Sequence, residues 1–182
     1  NDVEKKLRSS SKKTPSKLFG MNKETLTDIL DIDEYTAYKM IARSNKINSL
    51  MFALANLENE GISVTTKYED NYPQELITSL KKRAPLFLYY VGDLSIMSNM
   101  VSIVGPQNME KRLNSFTRNL VTKIYDEGKT LVSSGLKGVD AYALKIHMNL
   151  GGKAVCFVSD HLFDKKKTYA KYIKDNRMVL IS

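Results

Sequence analysis

Apolar positions in the first third of the chain recur at helical spacing. Between about Met21 and Glu60 they return every three to four residues, with no Pro and no internal Gly. This pattern predicts a small helical domain of two or three helices over residues 20–60. Gly61 then marks a stop, and residues 62–66 alternate apolar and polar side chains as a short strand does. The apolar positions that carry the helical period are Leu26, Ile29, Leu30, Tyr38, Met40, Ile41, Leu50, Phe52, Leu54 and Leu57.

The hydrophobic periodicity changes in the rest of the chain, where short apolar runs alternate with segments of helical spacing. The first helical segment after residue 104 places Leu113, Phe116, Leu120 and Ile124 along one face, which we expect to face the core. Alternating strands and helices of this length predict an α/β fold over residues 61–182, with a mostly parallel sheet and helices on both faces. The strand-like runs are 86–91, 101–104, 130–133, 153–158 and 178–181.

Residues 1–19 lack the apolar residues needed to bury a face, so the sequence predicts a flexible basic tail there. The chain does not begin with Met, which suggests a processed or internal fragment. The basic residues of this segment are Lys5, Lys6, Arg8, Lys12, Lys13 and Lys17.

Composition narrows the class of partner. The single cysteine, Cys156, lies in an apolar run, so we expect a buried thiol, no disulfide framework and a reducing, cytoplasmic location. No apolar stretch approaches the roughly 18 residues of a membrane helix. The net charge of +8, from 28 Lys and Arg against 20 Asp and Glu, favours a polyanion such as nucleic acid. A lysine-rich surface that only confers solubility is the competing interpretation.

Two loops follow predicted parallel strands and are therefore candidates for chemistry. They are residues 104–108 and 133–140, at the strand ends where α/β sheets bind ligands. Neither fits the dinucleotide or P-loop glycine pattern. The second loop predicts a phosphate cradle built from backbone amides, hydroxyls and a cation, although a tight turn that merely needs its glycines is the alternative. The cradle residues would be Ser133, Ser134, Gly135, Lys137 and Gly138.

Several short blocks, in a shared order and spacing, resemble the successive signatures of the DprA/Smf DNA-processing family. The resemblance covers about residues 60–182, and the helices before it are similar to that family's SAM-like N-terminal domain. The blocks are Asn71-Tyr72-Pro73-Gln74-Glu75-Leu76, Ala84-Pro85-Leu86-Phe87-Leu88-Tyr89, Val91-Gly92-Asp93, Ser102-Ile103-Val104-Gly105, Leu131-Val132-Ser133 through Gly138-Val139-Asp140, Gly151-Gly152-Lys153-Ala154-Val155 and Val179-Leu180-Ile181-Ser182.

The resemblance implies an extended Rossmann-like fold that binds single-stranded DNA with little sequence preference. It also implies a homodimer that helps to load the RecA recombinase in natural transformation, acting by binding and not as an enzyme. Neither a cofactor nor a metal is expected. Sequences of the family usually continue beyond the position of Ser182, so we expect part of the domain and of the dimer surface to be missing.

Departures from the family pattern concern both loops. The first loop reads Gly105-Pro106-Gln107 where the family usually has Gly-Ser-Arg, which removes a backbone donor and an arginine fork. We therefore expect weaker anion binding at Gly105 and Gln107. In the second loop Ser134-Gly135-Leu136 replaces Gly-Leu-Ala, and Leu144 replaces a His. The positions that do match are Ser133, Lys137, Gly138 and Asp140.

Individual side chains have competing interpretations. Lys137 is the best candidate for a phosphate contact, because its loop position directs it to the ligand crevice. Asp140, at a helix start, is expected to cap the helix or orient the loop in preference to acting as a base. Three cations lie on or near the helix that follows the first loop, namely Lys111, Arg112 and Arg118. They would either extend a positive track for the DNA backbone or form a solvated helix face.

Other residues are given structural interpretations. Tyr142 is expected to pack, with base stacking as the alternative. Two separated histidines, His147 and His161, do not form a zinc set with Cys156. The lysines at 165–167, 171 and 174 are expected to form a solvated face. Two other functions stay open: a nucleotide-binding sensor or hydrolase of a related Rossmann-like family, and a diverged interaction module that has lost its ligand.

Overall fold

The computed structural model describes residues 2–10, 15–159 and 162–182. The chain divides into two compact units, residues 1–60 and 61–182. Three residues discussed above, Lys12, Lys13 and His161, lie outside the described residues. No helix in the described ranges combines the length and the apolar character that crossing a membrane requires.

The N-terminal unit is helical. Helix α2 begins after Asn22, whose side chain accepts a hydrogen bond from Thr25 N at 2.9 Å, and α3 begins after Asp33, which accepts one from Thr36 N at 2.9 Å. Such N-caps satisfy amides that the helix itself leaves unpaired. The helices are α1 (Asp2–Ser9), α2 (Lys23–Leu30), α3 (Glu34–Ser44) and α4 (Ile47–Asn59), with a single 3₁₀ turn at Pro15–Leu18.

The start of the chain differs from the predicted basic tail. Asp2–Ser9 form a helix, and Leu7 is only 4% exposed. Leu7 packs with Leu26, Leu30 and Ala37, and Val3, one helical turn earlier, lies against the same cluster. Two apolar residues four positions apart are enough to give a short helix one buried stripe, a signal that the surrounding lysines obscured.

Helix α4 has the predicted helical period but buries none of its residues. Leu50, Met51 and Phe52 are 62%, 60% and 70% exposed. Its apolar stripe therefore contributes little to the core of the N-terminal unit, which is formed by α1, α2 and α3.

The C-terminal unit contains one six-stranded sheet. Strands β3 to β6 are parallel neighbours, and the spatial order of the sheet is β1-β2-β6-β5-β4-β3, with β2 antiparallel to β6 and to β1. The strands are β1 (Ser63–Thr66), β2 (Phe87–Val91), β3 (Met100–Ser102), β4 (Thr130–Ser133), β5 (Ala154–Phe157) and β6 (Met178–Ile181). The helices are α5 (Gln74–Leu80), α6 (Arg112–Asp126), α7 (Val139–Asn149), α8 (Leu162–Thr168) and α9 (Ala170–Lys174).

Helices cover both faces of this sheet, so the predicted α/β fold class is confirmed. A row of valines, Val132, Val155 and Val179, crosses three adjacent strands in register. Val155 and Val179 belong to a buried cluster with Tyr72, against which α5 packs. The helices α6 to α9 link successive parallel strands and cover the other face. The Tyr72 hydroxyl donates a hydrogen bond to the carbonyl oxygen of Pro85 at 2.8 Å, which connects two of the sequence blocks described above.

The core-facing side of α6 differs from the prediction. Thr117, Val121 and Ile124 are buried, whereas Phe116 is 67% exposed and Leu120 is 38% exposed. The buried side of α6 is therefore rotated by about one residue from the predicted side, so that Thr117 and Val121 take the places expected for Phe116 and Leu120. A hydropathy pattern scores threonine as polar and so misses its methyl group.

Candidate nucleic-acid interface

A cleft of about 290 Å³ lies where β3 and β4 end. Since both strands run in the same direction, the loops that follow them meet at one edge of the sheet. The end of β5 also reaches this cleft through Phe157. The residues that line it are Ser102, Ile103, Val104, Gly105, Gln107, Val132, Ser133, Ser134, Leu136, Lys137, Asp140 and Phe157.

The carboxylate of Asp140, in the first turn of α7, holds the second loop in place. Its Oδ1 accepts a hydrogen bond from Ser133 Oγ at 2.5 Å, and its Oδ2 accepts one from Ser134 N at 3.0 Å and another from the Ser134 hydroxyl. Gly135 N in turn donates to Ser133 Oγ at 3.0 Å. Asp140 thus orients the loop. Because both serine hydroxyls donate hydrogen bonds to Asp140, neither is free to donate to a ligand.

Other donors of the same loop remain available. The amide groups of Leu136, Lys137 and Gly138 donate no hydrogen bond to any residue that the structure describes. The Lys137 side chain is exposed at the cleft and forms no ion pair within the described ranges. Amides in the turn that precedes a helix, together with one ammonium group, are the groups that bind phosphate oxygens in other α/β proteins.

The two loops are packed directly against each other. Gly138 has φ +88°, and a Cβ built there would overlap Pro106 O and lie 2.5 Å from Gln107 Cα. Val139 N donates a hydrogen bond to Pro106 O at 3.2 Å. On the other side of the contact, a Cβ on Gly105 would lie 2.7 Å from Val139 Cβ. Both glycines are therefore needed for close approach of the two loops, and the contact fixes the width of the cleft.

The structure brings six of the predicted site residues to the cleft: Gly105, Gln107, Ser133, Ser134, Lys137 and Asp140. Gly135 and Gly138 shape the loop without lining the cleft, both at positive φ. The side chain of Gln107 is exposed and has no partner among the described residues, so it is free to rotate.

The three cations predicted to extend a positive track do not line the cleft. Lys111 is exposed directly before α6. Arg112 pairs with its neighbour Glu110, Nε to Oε2 at 2.6 Å, so an acidic group lies directly beside this cation. Arg118 donates a long hydrogen bond of 3.5 Å to the hydroxyl of Tyr142, so Tyr142 has a contact with α6 that accounts for its position without a base.

Apolar residues of the cleft were missed in the sequence analysis. Val104 is 90% exposed, Leu136 is 55% exposed, and Phe157 lies partly open at the end of β5. The only signal for Phe157 was its place at the carboxyl end of the third parallel strand. These side chains give the cleft an apolar wall beside its polar loop, which suits a ligand with both anionic and flat apolar parts.

Buried titratable groups lie behind the cleft or at the other end of the sheet. Burial raises the pKa of the Cys156 thiol to about 11, and burial likewise raises the pKa of Tyr169. His147 is fully buried, its Nε2 lies 3.0 Å from Lys153 O, and burial lowers its pKa. No group of three His, Cys, Asp or Glu side chains that could hold a metal occurs among the described residues.

These features define a class: an α/β protein with a Rossmann-like sheet and a glycine-containing loop beside a cleft at the ends of its parallel strands. Residues 63–182 match the family described as DNA recombination-mediator protein A, and the chain belongs to that family. The resemblance to the DprA family predicted from the sequence blocks is thereby confirmed.

Two solved structures are similar to the chain. One is the DNA processing protein A of Streptococcus pneumoniae, with a TM-score of 0.65 and 20% identity over 100% of this chain and 62% of that one. The other is the DNA processing protein A of Helicobacter pylori, described by its single-stranded DNA binding mode, with a TM-score of 0.49 and 20% identity over 66% of this chain and 56% of that one. The chain thus spans less than two thirds of the length of either. No curated protein sequence matches it.

Proposed function

We propose that this chain binds the phosphate backbone of single-stranded DNA in the cleft at the ends of β3 and β4. The observation that carries the proposal is the loop at 136–138, whose three amides and one lysine side chain are left without partners by the described residues. The net charge of +8 favours a polyanion as the ligand. Membership of a family of DNA recombination mediators supports the same ligand.

Asp140 does not prevent an anion from binding there. Its carboxylate accepts three hydrogen bonds and lies at the N-terminus of α7, where the helix dipole favours a negative charge. These interactions offset part of its charge, so the loop can still accept a singly charged phosphodiester beside it. The amides of residues 136–138 and the ammonium group of Lys137 then act on the ligand.

The apolar wall of the cleft supports single strands over duplex. Leu136 and Phe157 are open to solvent beside the loop, and only an unpaired nucleotide can place its base against such side chains. Since backbone contacts carry no sequence information, we expect binding with little sequence preference.

The wider role is proposed from the family alone. We extend the proposal to a non-catalytic mediator that works in the cytoplasm as a homodimer and hands single-stranded DNA to the RecA recombinase. The buried, protonated thiol of Cys156 suits a reducing compartment. Light scattering tests the dimer, and RecA filament assembly on coated oligonucleotides, followed with and without this protein, tests the handover.

A charge reversal at Lys137 tests the cleft directly. Lys137→Glu should weaken binding to oligothymidine at least tenfold, because an anion-contacting cation becomes an anion. The matched control is Lys174→Glu, which changes the net charge equally. Lys174 is exposed at the end of α9, shortly before β6 begins, and so lies toward the amino ends of the parallel strands, away from the cleft. Fluorescence anisotropy at fixed salt measures both affinities. Equal affinities for the two variants would mean that the cleft does not bind DNA.

A salt series gives a second, independent measure. Neutral Lys137→Gln should reduce the slope of log affinity against log salt by about 0.7, the value for one contact with a single strand. Parent protein should bind single strands more tightly than duplex of the same length. Tighter binding of a free nucleotide than of oligothymidine would favour the sensor or hydrolase alternative, and absence of binding to any of them would favour the diverged module.

A further inference from the structure

We infer that Asp140 makes the cleft selective for internal phosphodiesters over terminal phosphates. This inference rests on the proposed function and deepens it, because it states which phosphate of a DNA strand the loop accepts. It makes Asp140 a specificity-determining residue in addition to a loop-orienting one.

The hydrogen bonds of the loop give the first reason. A terminal phosphate has three charged oxygens and needs several strong donors, whereas an internal phosphodiester has two. Beyond the amides of residues 136–138 and the ammonium group of Lys137, the loop offers the hydroxyls of Ser133 and Ser134 and the amide of Ser134, and all three donate to Asp140. Ser133 is also only 4% exposed, and its Oγ is held between Asp140 Oδ1 and Gly135 N.

The balance of charge gives the second reason. Among the residues that line the cleft, Lys137 is the cation and Asp140 is the anion, so their formal charges cancel. An internal phosphodiester brings one negative charge, while a terminal phosphate carries about 1.5 to 2 at neutral pH. Among the described residues that line the cleft, the additional charge of a terminal phosphate finds no second cationic side chain, and it faces the Asp140 carboxylate across the loop.

The nearest charged groups from other elements do not alter this balance. Lys165 on α8 and Tyr169 next to α9 act on the same buried region as Asp140 and Cys156, but neither lines the cleft. Cys156 is buried and protonated, and it faces the loop from behind, 3.3 Å from where a Cβ on Gly135 would lie. Hence, within the described part of the chain, Lys137 and Asp140 set the charge that a ligand meets in the cleft.

The experiment compares oligothymidine trinucleotides with and without a 5′-phosphate, each as a competitor of a labelled, longer oligothymidine. With the parent protein the 5′-phosphate should give no gain in affinity, and inorganic phosphate should not compete. In Asp140→Asn the same 5′-phosphate should improve affinity about fivefold relative to the unphosphorylated trinucleotide, because the repelling charge is gone while one acceptor oxygen remains.

A second variant separates charge from loop structure. Ser134→Ala removes one hydroxyl that donates to Asp140 but keeps the carboxylate, so it should retain the parent's indifference to the 5′-phosphate. Circular dichroism verifies that both variants are folded. An equal gain in Ser134→Ala and Asp140→Asn would overturn the inference, because loosening the loop alone would then explain it.

The outcomes distinguish this inference from the function on which it rests. If the parent protein binds the 5′-phosphorylated trinucleotide several-fold more tightly, the selectivity is wrong while binding to single strands stands. If the longer oligothymidine itself does not bind, the proposed function fails.

Discussion

Substitution of Gly138 by Ala should disrupt the contact between the two loops of the cleft. Gly138 has φ +88° and ψ −139°, a conformation that residues with a Cβ rarely adopt. A Cβ there would also overlap the carbonyl oxygen of Pro106 and lie 2.5 Å from Gln107 Cα and from Gln107 O. These are backbone atoms, so no side-chain rotation can relieve the overlap.

The expected loss of stability comes from two contributions. The backbone conformation alone costs about 1–3 kcal/mol when a non-glycine residue must adopt it. Displacing the backbone of the first loop adds about 1–3 kcal/mol, the range for inserting a methyl group where there is no space. The variant should therefore lose about 2–6 kcal/mol of unfolding free energy, and its first loop should shift away from α7.

Gly128 provides a matched control in the same unit. It also has a positive φ, +65°, but a Cβ there meets nothing within 4 Å. Gly128→Ala should cost only the backbone contribution of about 1 kcal/mol. Urea unfolding followed by circular dichroism compares the two variants. If Gly138→Ala is no less stable than Gly128→Ala, the loops are not in contact and the width of the cleft is set by something else.

Two further outcomes follow from buried side chains. Burial raises the pKa of Cys156 from 9.0 to about 11 in the folded protein, so the unfolded state loses the thiol proton first as pH rises. The free energy of unfolding should therefore fall by up to about 1.4 kcal/mol per pH unit between those two values. Urea unfolding of the parent and of Cys156→Val at pH 8 and pH 10 measures this fall, and an equal pH dependence of the two proteins would contradict it. Leu7→Ala should destabilise the N-terminal unit by about 2–4 kcal/mol, which amide hydrogen exchange in α2 reports; unchanged protection there would mean that α1 does not stabilise this unit.

Most strands could be predicted because they are short apolar runs with a turn signal on either side, and β1 because its apolar and polar side chains alternate. Met178–Ile181 is buried at every position, and the prediction for it matches the structure residue for residue. Helix faces were harder to predict. Thr117 counts as polar in a hydropathy pattern although its methyl group is buried in α6, while Phe116 counts as apolar although it is exposed. Burial in a helix depends on which neighbours the fold supplies, and a single sequence does not contain that information.

The location of the site followed from topology, but its internal chemistry did not. Consecutive parallel strands place their carboxyl-end loops side by side, so residues after Ser102 and Ser133 had to meet. Whether Ser133 would donate to a ligand or to Asp140 depends on a contact between residues seven positions apart, across a turn that Gly135 and Gly138 shape. Phe157 lines the cleft from a third strand, and the only sign of this in the sequence was its place at the carboxyl end of that strand.

Pro106 shows how a departure from the family pattern can change the role of a loop. From the sequence alone, Pro106 is expected to weaken anion binding at the first loop, because proline lacks the backbone amide hydrogen that could bind an anion. In the structure its carbonyl oxygen accepts a hydrogen bond from Val139 N, the first residue of α7, and its backbone packs on Gly138. The first loop thus supports the second, and the groups that we propose to bind an anion are concentrated at residues 136–138. A Gln107→Arg variant should therefore add a phosphate contact and steepen the salt dependence of binding, whereas changes at Pro106 should act through the position of α7.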